Sequence, residues 1–326
     1  MRPLTLAAVA ALLAGCGSAP PPAAAPPPPP TLRTVAPTPA KAAPKAPQKR
    51  LVVLTTGAMP EDEAIQREIA RQSLAVEVGS SPAGTEIALP GVECTIAPTE
   101  RPGDVPKHFL PAEIAAHALG EDEAKAIGET TAAIGITCEI SDDQMPVRGL
   151  PPMAEAAAEA IATLTDGYIH DPQTGRYYGK AAWQASRAET RAYAVDRNIR
   201  VLREKNHDTG DFWLGTRGLI AFGRPELEVF PVPEDKLDGV ITQLQAIGDL
   251  TINEPEVASG LVMSLGTIDV LLLDRALYAD TLPAGTTGKA HAAPGEALGR
   301  LALADPEAPK GDLAAHDAFL RRLLVR

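Results

Sequence analysis

The chain has 326 residues, 45% of them apolar and 22% charged, and carries a formal charge of −12. Residues 1–50 hold six basic and no acidic side chains, which leaves 24 basic against 42 acidic residues, a balance of −18, over residues 51–326. So acidic a body repels phosphate backbones and anionic headgroups and argues against nucleic acid as a partner. At 4% aromatic residues it also has few platforms on which bases could stack.

Met1-Arg2 opens a weakly positive segment, and Leu4 to Ala14 is an apolar run broken only by Thr5. Helical residues in that number span about 16 Å, roughly half a bilayer core. That suits the apolar region of a signal peptide and is too short to cross a membrane. The run closes on Leu13-Ala14-Gly15-Cys16, which resembles the lipobox of bacterial lipoproteins. The resemblance implies that residues 1–15 are a signal peptide cut before Cys16, and that lipid on Cys16 anchors the chain to a membrane. Several acyl chains, at about 0.8 kcal/mol per buried methylene, hold such an anchor stably. Gly17-Ser18 carries no aspartate; by resemblance to Gram-negative lipoproteins this implies the outer membrane, facing the periplasm or the cell surface.

Residues 16–50 form the next segment, dominated by Pro, Ala and Thr, with an unbroken run Pro26 to Pro30. No core can be buried by such a composition and proline forbids a helix, so the segment is expected to be disordered coil and polyproline II. Its basic residues, Arg33, Lys41, Lys45, Lys49 and Arg50, are expected to keep it solvated.

The first strand is expected at 51–56, followed by a helix that Pro60 and the acidic Glu61-Asp62-Glu63 open, with Ile65 and Ile69 on its apolar side. Strands follow near 74–79, 85–90 and 92–97, then a helix over 111–128 and a strand at 132–140. Cys94 and Cys138 fall in two of these strands. In an exported domain they either pair as a disulfide or stand as two buried thiols; the oxidising setting favours the disulfide.

After Pro151-Pro152 an alanine-rich helix runs to Leu164, and Asp171-Pro172-Gln173-Thr174-Gly175 reads as a turn between short strands at 168–170 and 176–178. Further strands are expected at 198–204, 211–216, 226–231 and 260–273, with helices at 234–248 and 312–324. Strands that follow one another through short turns point to an α+β fold, mostly antiparallel sheet with helices packed on one face. Two related subdomains, 51–150 and 151–326, are expected, although no internal repeat is visible. Leu164 to Pro172 and Thr216 to Glu228 resemble segments of uncharacterised bacterial α+β domains; they cover under a tenth of the chain and imply no chemistry.

Motifs for chemistry are few. Gly285-Thr286-Thr287-Gly288-Lys289-Ala290 lacks the first glycine and the final hydroxyl of a phosphate loop, having Pro283 and Ala290 there. Ser264 has Val262 where a hydrolase elbow needs glycine. The six histidines show no metal-ligand spacing, and no cofactor motif is present. One polar group stands out: Arg217, Arg224 and Glu226 beside Trp213. It is either the lip of a binding groove whose arginines grip a carboxylate, or a strand–turn–strand with Arg224 and Glu226 paired at the surface. The second reading is preferred. Together these features point to a membrane-anchored envelope lipoprotein whose acidic domain binds an envelope protein or supports an assembly. An envelope hydrolase or a small-ligand-binding protein is the alternative.

Overall fold

The structure, a computed structural model, describes residues 32–34, 46–72, 74–254, 256–266, 268–274, 277–278, 300–307 and 313–324. The signal segment, Cys16, the proline run and Gly285–Ala290 lie outside the described residues. Among those described, no helix is long and apolar enough to cross a membrane. Three residues of the expected coil, Leu32–Thr34, form a short strand, β1.

Strands β2 (Gln48–Thr55), β3 (Glu77–Ser81), β4 (Gly84–Leu89), β5 (Val92–Thr99), β6 (Ala132–Ile140), β7 (Tyr168–Asp171) and β8 (Arg176–Tyr178) make the first sheet. Its order is β3-β4-β5-β6-β2-β7-β8 and every pair is antiparallel. Helix α1 (Asp62–Arg71) and helix α4 (Leu150–Thr165) pack on one face. Ala154, Ala157, Ala158 and Ile161 of α4 are fully buried among Leu51, Val53 and Ile136; alanine lets the helix axis approach the strands closely. Pro151 and Pro152 sit in its first turn, where the missing N–H costs no helical bond.

The opposite face is covered as well. Leu54, Ala133 and Tyr177 pack with Leu119, Ala124 and Ile127, the last two from α3 (Glu121–Glu129), with α2 (Pro111–His117) preceding it. Helices on both faces replace the one-face packing expected. The single helix expected at 111–128 is broken at Ala118, whose φ is 51°, and Gly120 then starts α3.

Between the sheets run α5 (Lys180–Glu189) and the short α6 (Val195–Asn198), neither expected from sequence. The second sheet has the order β1-β12-β13-β14-β11-β10-β9. It comprises β9 (Arg200–Lys205), β10 (Phe212–Arg217), β11 (Glu226–Val232), β12 (Leu261–Leu265), β13 (Ile268–Asp274) and β14 (Arg300–Ala304), with β1 at the edge. All pairs are antiparallel except β11 with β14. Helices α7 (Leu237–Ile252) and α8 (Leu313–Leu324) supply Val240, Leu244, Phe319 and Leu320 to its core. The expected 260–273 strand is a hairpin that turns at Gly266, φ 73°, a conformation glycine adopts without strain.

The α+β class with antiparallel sheet is thus what the chain forms. The division between units differs from the expected one. Because β7 and β8 belong to the first sheet and α4 packs on it, the second sheet, its edge strand β1 apart, is built from residues after 178 rather than from 151 onwards. The first sheet likewise starts at Gln48, inside the segment assigned to coil.

Cys94 and Cys138 stand directly opposite each other on β5 and β6 and are joined as a disulfide, at a sequence separation of 44. In the chain-entropy model a loop of that size stabilises by about 4 kcal/mol. Reduction, or the double substitution Cys94→Ala/Cys138→Ala, should lower the unfolding free energy by that order. Urea titrations of the oxidised and reduced protein would measure it.

Candidate functional site

Three of the four side chains singled out by sequence are built into the scaffold. Trp213 is buried and its indole Nε1–H donates to Glu228 Oε2 at 2.8 Å. Arg224 donates through Nε to Thr251 O at 3.0 Å and through Nη2 to Ile252 O at 3.2 Å and Glu254 O at 2.5 Å, closing the C-terminal end of α7. Glu226 is buried, not at the surface, and accepts from Thr216 Oγ1 at 2.7 Å and from the Gly218 N–H at 2.8 Å. Burial pushes its pKa up, against those hydrogen bonds. The expected Arg224–Glu226 surface pair does not form, because β14 pairs with β11 and places Glu226 mid-sheet.

Arg217 does something else. It lies directly opposite Arg200 in the β9–β10 register, so two cations face each other across adjacent strands. Both reach the β7–β8 turn of the first sheet: Arg217 Nη2 donates to Pro172 O at 3.2 Å and Arg200 Nη1 to Gly175 O at 2.9 Å. Arg176, which follows Gly175, donates to Asp196 O at 2.5 Å. Gly175 has φ 66°, and a Cβ there would come within 2.9 Å of Arg217 Nη1. All three arginines are half-buried. Among the described residues, none has a carboxylate within 4 Å.

The turn beneath them is organised by Asp171. It is buried and accepts Lys49 Nζ at 2.7 Å from β2, while its other oxygen takes the N–H groups of Gln173 at 2.9 Å and Thr174 at 3.2 Å. Burial alone would raise its pKa, but the Lys49 charge and these hydrogen bonds hold the carboxyl below the usual carboxylate range. Lys49 is therefore a core residue, not part of a solvated linker.

Beside the cluster, His170 stacks on Tyr177 with centroids 4.3 Å apart, and its Nδ1–H donates to Arg176 O at 3.0 Å. His117 Nδ1 accepts the Tyr177 N–H at 3.3 Å, which leaves its proton on Nε2. Burial first, then the charge of Arg200, lowers the His117 pKa to about 4. Burial also lowers those of His170 and His316.

A separate cleft of about 210 Å³ opens between α4 and α5, lined by Glu159, Asp166, Tyr178, Lys180 and Trp183 among others. Lys180 Nζ and Asp166 Oδ1 pair across it at 2.5 Å. Trp183 Nε1 is buried with no hydrogen-bond partner.

No family model matches the chain, and neither a curated protein nor a solved structure matches it. The site is therefore read from its own geometry. Among the described residues, no three His, Cys, Asp or Glu side chains gather so as to hold a metal ion.

Sequence singled out Arg217 but not Arg176, Arg200 or His117. The turn at 171–175 was legible, yet nothing in one dimension says that β9 and β10 align Arg200 with Arg217 above it.

Two measurements follow from this electrostatics. Lys49→Met strands a buried carboxylate and should cost about 3–5 kcal/mol of stability, measured by denaturant unfolding. The three histidines take protons more readily unfolded than folded, so stability should fall as pH drops from about 6.5 towards 4. Titration of the His117 Cε1–H resonance should show a midpoint near 4; a midpoint at the ordinary value would contradict the burial described.

Proposed function

We propose that this chain is an envelope lipoprotein: lipidated at Cys16, anchored through that lipid to the outer membrane, and carrying an acidic domain that binds an envelope protein or supports an assembly. The observation that carries the reading is Leu13-Ala14-Gly15-Cys16 at the end of an apolar run of signal-peptide length. The disulfide between β5 and β6 supports it, since such bonds persist in oxidising, exported compartments. The proline-rich stretch after Cys16 gives the body reach; each extended residue adds about 3.1 Å.

A small-ligand reading is favoured by one observation, the cleft of about 210 Å³ between α4 and α5, lined by Tyr178, Trp183 and the Lys180–Asp166 pair.

Labelling with radioactive palmitate tests the anchor. The full chain expressed in a Gram-negative host should incorporate label and sediment with membranes, and Cys16→Ser should do neither. Cross-linking in intact cells, with capture through the C-terminus, tests the binding role. One dominant partner, lost on deletion of residues 51–326 and kept when the linker is scrambled, is expected; no partner above background would remove the interaction reading and leave ligand capture to be tested.

A further inference from the structure

We propose that Arg176, Arg200 and Arg217 form a binding site for a doubly charged oxyanion, carried by a small molecule as a phosphate monoester or a dicarboxylate. Several interior cations of this chain are matched with a carboxylate. Lys49 meets Asp171 at 2.7 Å, Arg187 meets Glu155 at 2.9 Å and Arg197 meets the same Glu155 at 3.3 Å, all with side chains almost wholly out of solvent. Partly exposed Arg148 meets Asp249 at 2.8 Å. Acidic residues outnumber basic ones, 42 to 30, so carboxylates are in ample supply. Arg101 and Arg224 lack a carboxylate, but each is taken up by several carbonyls; at the junction of the sheets three arginines gather without a carboxylate, Arg200 and Arg217 each holding one main-chain oxygen and Arg176 holding Asp196 O and the Tyr178 side chain.

Carbonyl dipoles do not neutralise full charges. Arg200 and Arg217 are in direct cross-strand register, and like charges so placed are destabilising. Burial and the charges of Arg176 and Arg217 depress Arg200, and Tyr178 alone acts in the other direction. A tie to the turn does not require charge, because an uncharged amide donates to a carbonyl as well. The retained charges make sense for an anion. Guanidinium groups present planar forks that match carboxylate and phosphate oxygens, and Arg200 and Arg217 each use one N–H and keep others. A dianion fits three unopposed cations better than a single carboxylate does. The site is bipartite: Arg176 comes from the edge strand of the first sheet, Arg200 and Arg217 from the second.

The test is calorimetric titration of the full chain in mild detergent with phenyl phosphate, succinate and acetate, in chloride buffer at pH 7.5. Phenyl phosphate or succinate should bind at least tenfold more tightly than acetate, and whichever does so identifies the source of the dianion. Arg200→Gln and Arg217→Gln should each weaken that binding at least tenfold, while Arg203→Gln, an exposed position on the same strand, should not. Equal binding of all three anions, or dianion affinity unchanged in folded Arg200→Gln and Arg217→Gln, would overturn the proposal. Should those variants unfold, the wild-type protein still decides. His117 lies in the field of Arg200, Arg176, His170 and Glu113, so a bound dianion must raise its titration midpoint from about 4; no movement at saturating phosphate counts against the site.

Discussion

A buried carboxylate, Asp171, is the constraint on which both sheets lean. Removing an ion from water costs several kcal/mol even after relaxation, and only a well-placed opposite charge with further hydrogen bonds offsets it. Asp171 obtains the charge from Lys49 and the hydrogen bonds from the turn that it begins. The two requirements have consequences in opposite directions along the chain. Lys49 must lie beside β7, which fixes β2, the first strand of this sheet in sequence, at an interior position. The turn must keep its shape, which presents the carbonyls of Pro172 and Gly175 to the arginines of the second sheet. One side chain thus sets strand order within a sheet and the contact between sheets.

A second ionic centre holds the connecting segment. Glu155, on the side of α4 away from the strands, takes Arg187 from α5 and Arg197 from α6, and Asn198 completes the group at 3.5 Å. Arg148, just before α4, reaches Asp249 in α7, and Tyr193 donates to the same carboxylate at 2.9 Å. Apolar packing would hold two surfaces together in several registers. Paired charges select one, because any slip leaves a desolvated ion alone. The segment 180–198 is therefore placed by its arginines rather than by a core of its own.

Much of this was legible in sequence where the signal is local. Alternation in β4 and β5, the cysteines in expected strands, the Asp-Pro-Gln-Thr-Gly turn and the alanine-rich helix all depend on near neighbours. What stayed hidden depends on register and on distant partners. Lys49 follows a Pro/Ala stretch and looks like one more solvated cation until β2 is paired with β7. Glu226 looks like a surface residue because β14, which covers its strand, is short and lies more than sixty residues further on. Arg200 and Arg217 are far apart in sequence, and the Asn206–Asp211 loop between their strands announces a hairpin without announcing its alignment.

The location of the arginine cluster bears on how the two units communicate. A ligand held by Arg176 on one side and by Arg200 and Arg217 on the other would bridge the sheets and relieve a like-charge contact in the same event. Binding then adds to the cohesion of the junction, and by linkage any change that draws the sheets together tightens binding. The paired centres at Asp171 and Glu155 gain nothing of the kind, since their charges are already opposed. Within one acidic molecule, paired cations fix the architecture, and a cluster of cations without carboxylates leaves it sensitive to what arrives. That difference makes the junction, rather than the interior of either sheet, the place where occupancy can change how firmly the domain holds its shape.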